Sequence, residues 1–356
     1  MSCQSGRRVE FIDYSKAIAI FLVVLGHTPF CNNTIKQWLY SFHMPFFFAV
    51  YGLTYNLEEH AKKGFFTVGF LKSKLRRLIL PAMIWAIGYS ILFGLLNNDF
   101  YLKNFLYIVY GSQASLKKAD SLTSIWFLPC MFLAVCFTEI IFQLLNRPKI
   151  KRKYQTTMLI MLTVVLSVLS DLFPRMKNGY PWSGNIALMA TAFILIGYLL
   201  RELYSKLPGI NNGESIPWLT ILGISFVLVA VLFKWNLKYL TLNNADMASG
   251  TYGNYLYYML NSIFGIIMLI GISILLAQRV KSGLICFIGS NTMAIFLLHK
   301  PLVGGACDIL YKLGFANWIL SLPIAVSVLI FCSIWAWIID RSIPEVVGNR
   351  RKECHE

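Results

Sequence analysis

Apolar runs about twenty residues long, separated by short polar stretches, recur along the whole chain. A helix that crosses a bilayer needs about 20 mostly apolar residues. Ten stretches meet that requirement: roughly 10–30, 37–55, 78–96, 124–145, 155–173, 183–200, 216–233, 257–277, 284–303 and 317–339. Asp13 and Lys16 interrupt the first of them. The segment 100–110 is too short to cross and suits an amphipathic helix lying in the membrane interface. The pattern predicts an all-α polytopic membrane bundle. With no internal repeat, low-complexity tract or soluble segment, it forms one domain over 1–356.

Composition points the same way. Of 356 residues, 57% are hydrophobic and 13% charged, against roughly 25% charged in a soluble domain. The net charge of +16 would suggest nucleic acid in a soluble protein. Here the basic residues sit in short loops, so the partner is the lipid bilayer and nucleic acid is not expected. With the N-terminus placed inside, Lys and Arg favour the inner segments by roughly two to one, and both termini are cytoplasmic. The densest clusters, 72–77 and 147–153, both fall inside. No small-residue cleavage site follows the first apolar stretch, so it is expected to be a retained helix. Eight cysteines are scattered without a C-x-x-C pair, which suggests neither a disulfide framework nor a zinc site.

Ionisable groups at membrane depth are functional candidates by default. Lys16 and His27 are eleven apart, which places them within about 20° of one helix face and roughly 16 Å apart along the axis. Asp13 is three residues before Lys16 and can meet it. One stripe then carries Asp13 and Lys16 toward the inside and His27 toward the outside. The competing reading is that Lys16 snorkels to the inner headgroups and His27 marks the helix end. His43 follows in Ser41-Phe42-His43-Met44-Pro45, ahead of Phe46, Phe47 and Phe48. Pro45 frees a backbone carbonyl, tolerated at depth only where protein or a wet cavity meets it. His299 falls at the outer end of the ninth helix, so three histidines share the outer half; His60 and His355 read as solvated. Histidine is the usual general base near neutral pH, and no metal is expected, because no second ligand stands close to any of the three. Glu139 should lie in the inner half as a counter-ion for Lys16 or Arg77, or near a helix end. The outer loop 234–256, with Trp235, Asn236, Tyr239, Asn243, Asn244, Asp246 and Tyr252, suits sugar rings or an interfacial aromatic belt.

These motifs resemble the acyltransferase 3 family of bacterial membrane acyltransferases, and within it the fucose 4-O-acetylase-like proteins. The resemblance rests on Ile12-Asp13-Tyr14-Ser15-Lys16 with Val23-Val24-Leu25-Gly26-His27, on Ser41 to Pro45, and on Lys72 to Arg77 before Pro81. Weaker matches are Trp126-Phe127-Leu128 and Gly289-Ser290-Asn291-Thr292 with His299. Lys16 stands where the family more often has Arg, Tyr51-Gly52 replaces a frequent Ser-Gly, and Lys74-Leu75-Arg76-Arg77 replaces an R-x-x-R-like motif. The resemblance implies an O-acetyltransferase of the bacterial inner membrane that takes acetyl-CoA, or another acyl-CoA, from the cytoplasm. The acceptor would be a saccharide hydroxyl, as in polysaccharide modification. It implies a catalytic set of His27, Lys16, His43 and Asp13. Donor phosphates would meet Lys72, Lys74, Arg76 and Arg77, which ordinary positive-inside charge also explains. Trp126, Trp235 and His299 are candidate acceptor contacts. A transporter or flippase of a lipid-linked saccharide is the alternative, against which no inverted repeat or paired broken helices are found.

Overall fold

The computed structural model describes residues 10–97, 102–119, 121–147, 152–206, 215–240, 245–315 and 317–349. Residues 148–151 of the second basic cluster, and Asn243 and Asn244 of the outer loop, lie outside the described residues. Eight helical spans are long and apolar enough to cross a membrane: Val68–Leu96, Thr123–Leu145, Tyr154–Leu172, Pro181–Tyr204, Pro217–Tyr239, Tyr255–Arg279, Thr292–Lys312 and Trp318–Ser342. Two further passes complete the bundle. α1 (Glu10–His27) is an unbroken helix despite its three charged residues. α3 (His43–Thr54) has only 12 residues, about 18 Å of rise.

Three predicted elements differ from the structure, each for a local reason. The second, expected over 37–55, splits into a short outer helix α2 (Asn33–Tyr40) and α3, with the break at Ser41 and Phe42. The third does not begin at 78. After the short helix α4 (Leu57–Lys63), α5 (Val68–Lys74) runs through a π-turn at Leu75–Ile79 into α6 (Leu80–Asn97), so the basic residues 72–77 lie on a helix rather than in a loop. Pro81 supplies the cause: its ring would clash with the Arg77 carbonyl, and a π-turn widens the ladder just ahead of it. The ninth, expected over 284–303, is α14 (Gly283–Ser290) and α15 (Thr292–Lys312), broken at Asn291. His299 is therefore eight residues into α15 and well short of its outer end.

The segment expected at the interface is α7 (Lys103–Tyr110), which leaves Leu102, Phe105, Leu106 and Val109 exposed. α8 (Gln113–Lys118) follows it on the outer side. The remaining passes are α9 (Phe127–Leu145), α10 (Arg152–Leu172), α11 (Gly184–Lys206), α12 (Ser215–Asn236), α13 (Tyr255–Arg279) and α16 (Ser321–Ser342).

Burial sorts these helices into an inner set and a lipid-facing set. α9, α11 and α13 are mostly buried, whereas α10, α12 and α16 present many exposed apolar side chains. α1 is central: it packs on α2, α3, α13, α14, α15 and α16. Small residues set the closest approaches, as expected where lipid removes the hydrophobic drive between helices. A Cβ at Gly52 of α3 would overlap the Ile194 carbonyl of α11, and a Cβ at Gly197 of α11 would overlap the Ala49 carbonyl of α3. Gly289 lies as close to the Asp13 backbone, which brings α14 against the inner part of α1.

Gly197→Val should therefore force α3 and α11 apart and destabilise the protein by about 3 kcal/mol. Gly88→Ala, at a helical position with open space around it, should leave the melting temperature in detergent unchanged or slightly raised. Equal melting of Gly197→Val and the parent chain would remove this role for the glycine pair.

Candidate active site

The two histidines of the second and ninth passes share one construction, His-x-Pro: His43-Met44-Pro45 and His299-Lys300-Pro301. A proline inside a helix leaves the carbonyl four residues back without its donor, and in a bilayer such a group must find one. Pro45 stands in the first turn of α3, where a missing N–H costs no helical bond; the Ser41 carbonyl, left open by the break between α2 and α3, accepts from the Ser262 hydroxyl of α13 at 2.7 Å. Pro301 frees Leu297, whose carbonyl accepts from the Tyr89 hydroxyl of α6 at 3.2 Å. Each imidazole also bonds its own backbone: His43 Nδ1 lies 2.6 Å from Leu39 O, and His299 Nδ1 lies 2.7 Å from Phe296 O. A carbonyl only accepts, so both Nδ1 atoms carry the hydrogen, and in the neutral rings both Nε2 atoms are acceptors.

His27, the last residue of α1, sits between these two. Its Nδ1 is 2.9 Å from the Tyr40 hydroxyl. Its ring lies parallel to that of His299, with centroids 5.0 Å apart and planes within 6°. The Tyr40 ring meets His43 edge-on at 4.9 Å. The imidazoles of α1 and α3 thus both meet Tyr40 of α2, and that of α15 stacks on the first of them. His43 and His299 are buried, whereas His27 keeps partial access. The His299 Nε2 is buried without a hydrogen-bond partner.

One turn closer to the inner face, phenylalanines link the same helices. Phe47 and Phe48 of α3 contact Phe127 of α9, which contacts Phe296 of α15, which in turn contacts His299. Trp126 is buried beside Phe127, and the neighbouring Thr123 accepts from Lys300.

The outer loop closes over this region. Asp246 caps the short turn Met247–Ser249 through the Ala248 N–H. Burial pushes its carboxyl up, opposed by that N–H, by Ser249, by Gln113 and by the Lys300 charge. Asn236 is buried and staples the loop: it donates to Tyr252 O and accepts from the Asn254 N–H. Trp235 is exposed and forms an aromatic group with Tyr257, which also touches Tyr239. It makes no ring contact with the histidines.

The inner end carries the charged set. Lys16 Nζ is 3.0 Å from Asp13, with Asp13 nearly fully buried and Lys16 partly exposed. Lys74 Nζ donates to Tyr51 Oη at 3.1 Å and lies over the Tyr51 and Phe70 rings. Tyr51, where the resemblance led to serine, thus holds Lys74. Lys72, Arg76 and Arg77 are exposed, and Arg76 reaches Glu345 at 3.7 Å. Glu139 is not paired with Lys16 or Arg77. It is fully buried, and its carboxylate lies 2.7 Å from His60 Nδ1. His60 is accordingly not a purely solvated residue; its ring stacks on Tyr55.

Sequence reasoning singled out Lys16, Asp13 and the three histidines but not Tyr40, Ser262, Tyr89 or Lys300. Pro301, inside α15, was the available signal for a partner such as Tyr89. Nothing local marks Tyr40, because its role depends on the break after it. Among the described residues, no group of three or more His, Cys, Asp or Glu is placed to hold a metal.

A family model described as an acyltransferase domain matches residues 9–340. No curated protein and no solved structure gives a significant match.

Ser262→Ala would leave the Ser41 carbonyl without its donor and should cost about 1–3 kcal/mol. Ser262→Thr, which keeps the hydroxyl, should melt closer to the parent chain. Thermal unfolding of the three proteins in detergent measures this, and identical melting would show that the carbonyl finds another partner.

Proposed function

The chain belongs to that acyltransferase family and is a multi-pass membrane acyltransferase, and we propose that it transfers an acetyl group from cytoplasmic acetyl-CoA to a hydroxyl of a cell-surface or lipid-linked saccharide at the bacterial inner membrane. The observation that carries this reading is the setting of His27. It is a partly accessible imidazole, oriented by Tyr40 and His299, at the outer end of the helix whose inner end bears Lys16 and Asp13.

In this mechanism His27 Nδ1–H donates to Tyr40 Oη, which leaves Nε2 as the base. The acceptor hydroxyl gives its proton to Nε2 as its oxygen bonds to the thioester carbonyl carbon. The C–S bond then breaks, and the departing thiolate of coenzyme A takes the proton from His27. Lys16 lies roughly 16 Å from His27 along the axis, too far to steady charge on the reacting carbonyl. Its role is to hold the donor as it enters past α1, with Asp13 fixing its position. His43, whose Nδ1–H is committed to Leu39 O, orients Tyr40 through ring contact. Lys72, Arg76 and Arg77 lie exposed on the inner side, where coenzyme A phosphates arrive, and guanidinium groups suit phosphate.

Label transfer from radiolabelled acetyl-CoA to saccharide, with purified protein in nanodiscs, tests the reading. His27→Ala should lower transfer on the order of 10³-fold in a protein that still inserts and folds. Tyr40→Phe should lower kcat on the order of 10²-fold with little change in KM, since it disturbs only the aim of the base. Lys16→Ala should raise the donor KM, and Lys16→Arg should retain much of the activity. Near-normal product from His27→Ala would refute the assignment.

A further inference from the structure

A cavity of about 130 Å³ opens on the outer side between α8, the outer ends of α10 and α11, and the turn at Ala248–Gly250. Its walls include Gln113, Asp171, Arg175, Tyr180, Asn185 and Ser249. The sequence-predicted acceptor residues Trp126, Trp235 and His299 are not among its lining residues.

The cavity is built rather than incidental. Trp182 and Ser183 both adopt φ 53°, a left-handed conformation that non-glycine residues hold only when their surroundings enforce it. The enforcement is visible. Trp182 Nε1 donates to Val109 O at 2.8 Å, and Tyr110 Oη donates to Gly179 O at 2.9 Å. The Ser112 hydroxyl donates to Asn178 O at 2.5 Å. These bonds fix the segment 178–183 against α7 and α8, with Tyr180 held edge-on to Phe173.

The lining chemistry narrows the ligand. One carboxylate and one guanidinium face the space, so it has no net preference for an anion. The amides of Gln113 and Asn185 each offer donors and an acceptor, and Ser249 adds a hydroxyl. Tyr180 contributes an aromatic face with a polar tip. Phe173, Met176 and Ile186 supply apolar wall beside them, so polar and apolar groups alternate as the hydroxyls and C–H faces of a sugar ring do. The volume exceeds the share of a few waters and falls short of the 300–1,000 Å³ typical of a pocket that encloses a whole ligand. It fits one hydroxyl-rich ring held against an open mouth.

α8 ties this space to the histidines. Its Gln113 and Ala114 line the cavity, it packs on the turn Thr123–Trp126, and Thr123 accepts from Lys300, which directly follows His299 in α15. We propose that the cavity is a subsite for the neutral sugar unit next to the one that is acylated, so that it selects oligosaccharide over monosaccharide acceptors. The proposal rests on the acyl-transfer reading above and names where the rest of that acceptor lies.

The test uses the full-length protein in nanodiscs, with labelled acetyl-CoA and a printed array of defined bacterial mono- and oligosaccharides. Wild type should label oligosaccharides preferentially. Asn185→Leu should raise KM for the preferred oligosaccharide roughly tenfold, the loss of about one buried hydrogen bond. Its kcat, its KM for acetyl-CoA and its KM for the matching monosaccharide should stay unchanged. Tyr180→Ala should behave alike and guards against misfolding of the first variant. Transfer by wild type with no change in the oligosaccharide KM of either variant, or an equal change for both acceptors, overturns the subsite alone. No transfer by wild type to any saccharide on the array overturns the subsite together with the reading it rests on.

Discussion

Inside a bilayer every backbone carbonyl must have a donor, and the site is organised by that constraint. The break between α2 and α3 leaves the Ser41 carbonyl without one, and Pro301, inside α15, takes the donor of Leu297 away. The two open carbonyls are met by hydroxyls on other helices, Ser262 of α13 and Tyr89 of α6. Each repair is also a tie between passes, so α3 is pinned to α13 and α15 to α6 at the depth of the histidines. The positions of His43 and His299 therefore follow from hydrogen-bond satisfaction, before any question of chemistry arises. α1 passes between these pinned helices and delivers His27 to the gap they leave.

Much of this was legible in the sequence, for reasons that differ between residues. Eight passes follow from hydropathy, being long and apolar enough to cross lipid; α1, with three charged residues, and α3, with only 12, do not meet that standard by themselves. The breaks in the second and ninth passes did not follow, since an apolar count is blind to a kink. Pro45 was the visible clue in one case, but Asn291 carries no comparable mark. Asp13 and Lys16 could be paired from spacing alone, because a single helix fixes i and i+3. Tyr40 could not, because its hydroxyl meets His27 only after the chain turns at 28–32 into the separate short helix α2. Glu139 shows the same limit. Its place in the inner half was expected, as a counter-ion for Lys16 or Arg77 or near a helix end, but its partner His60 comes from the short helix Leu57–Lys63, which no pattern tied to it.

The two faces of the bundle are held together by different means. At the inner face, charged contacts predominate: Glu10 with Lys281, Lys16 with Asp13 and Arg76 with Glu345. Exposed pairs of this kind contribute little stability individually, and the inner end of α1 is fixed more firmly by Tyr14, which donates to Val280 O and accepts from the Ser282 N–H. At the outer face, side chains bond backbone groups across loops, as Trp182, Tyr110 and Asn236 do. That difference suits the division of labour proposed above, with a mobile charged donor admitted on one side and a shaped acceptor surface on the other.

The chain of phenylalanines below the histidines bears on a problem faced by any catalyst whose reactants sit on opposite sides of a bilayer. A route open enough for an acyl thioester is also a route for ions. Rings from α3, α9 and α15 meet there and carry no oxygen or nitrogen on which a water wire can form. For the transfer proposed above, such a layer would keep a proton path from running beside the acyl group.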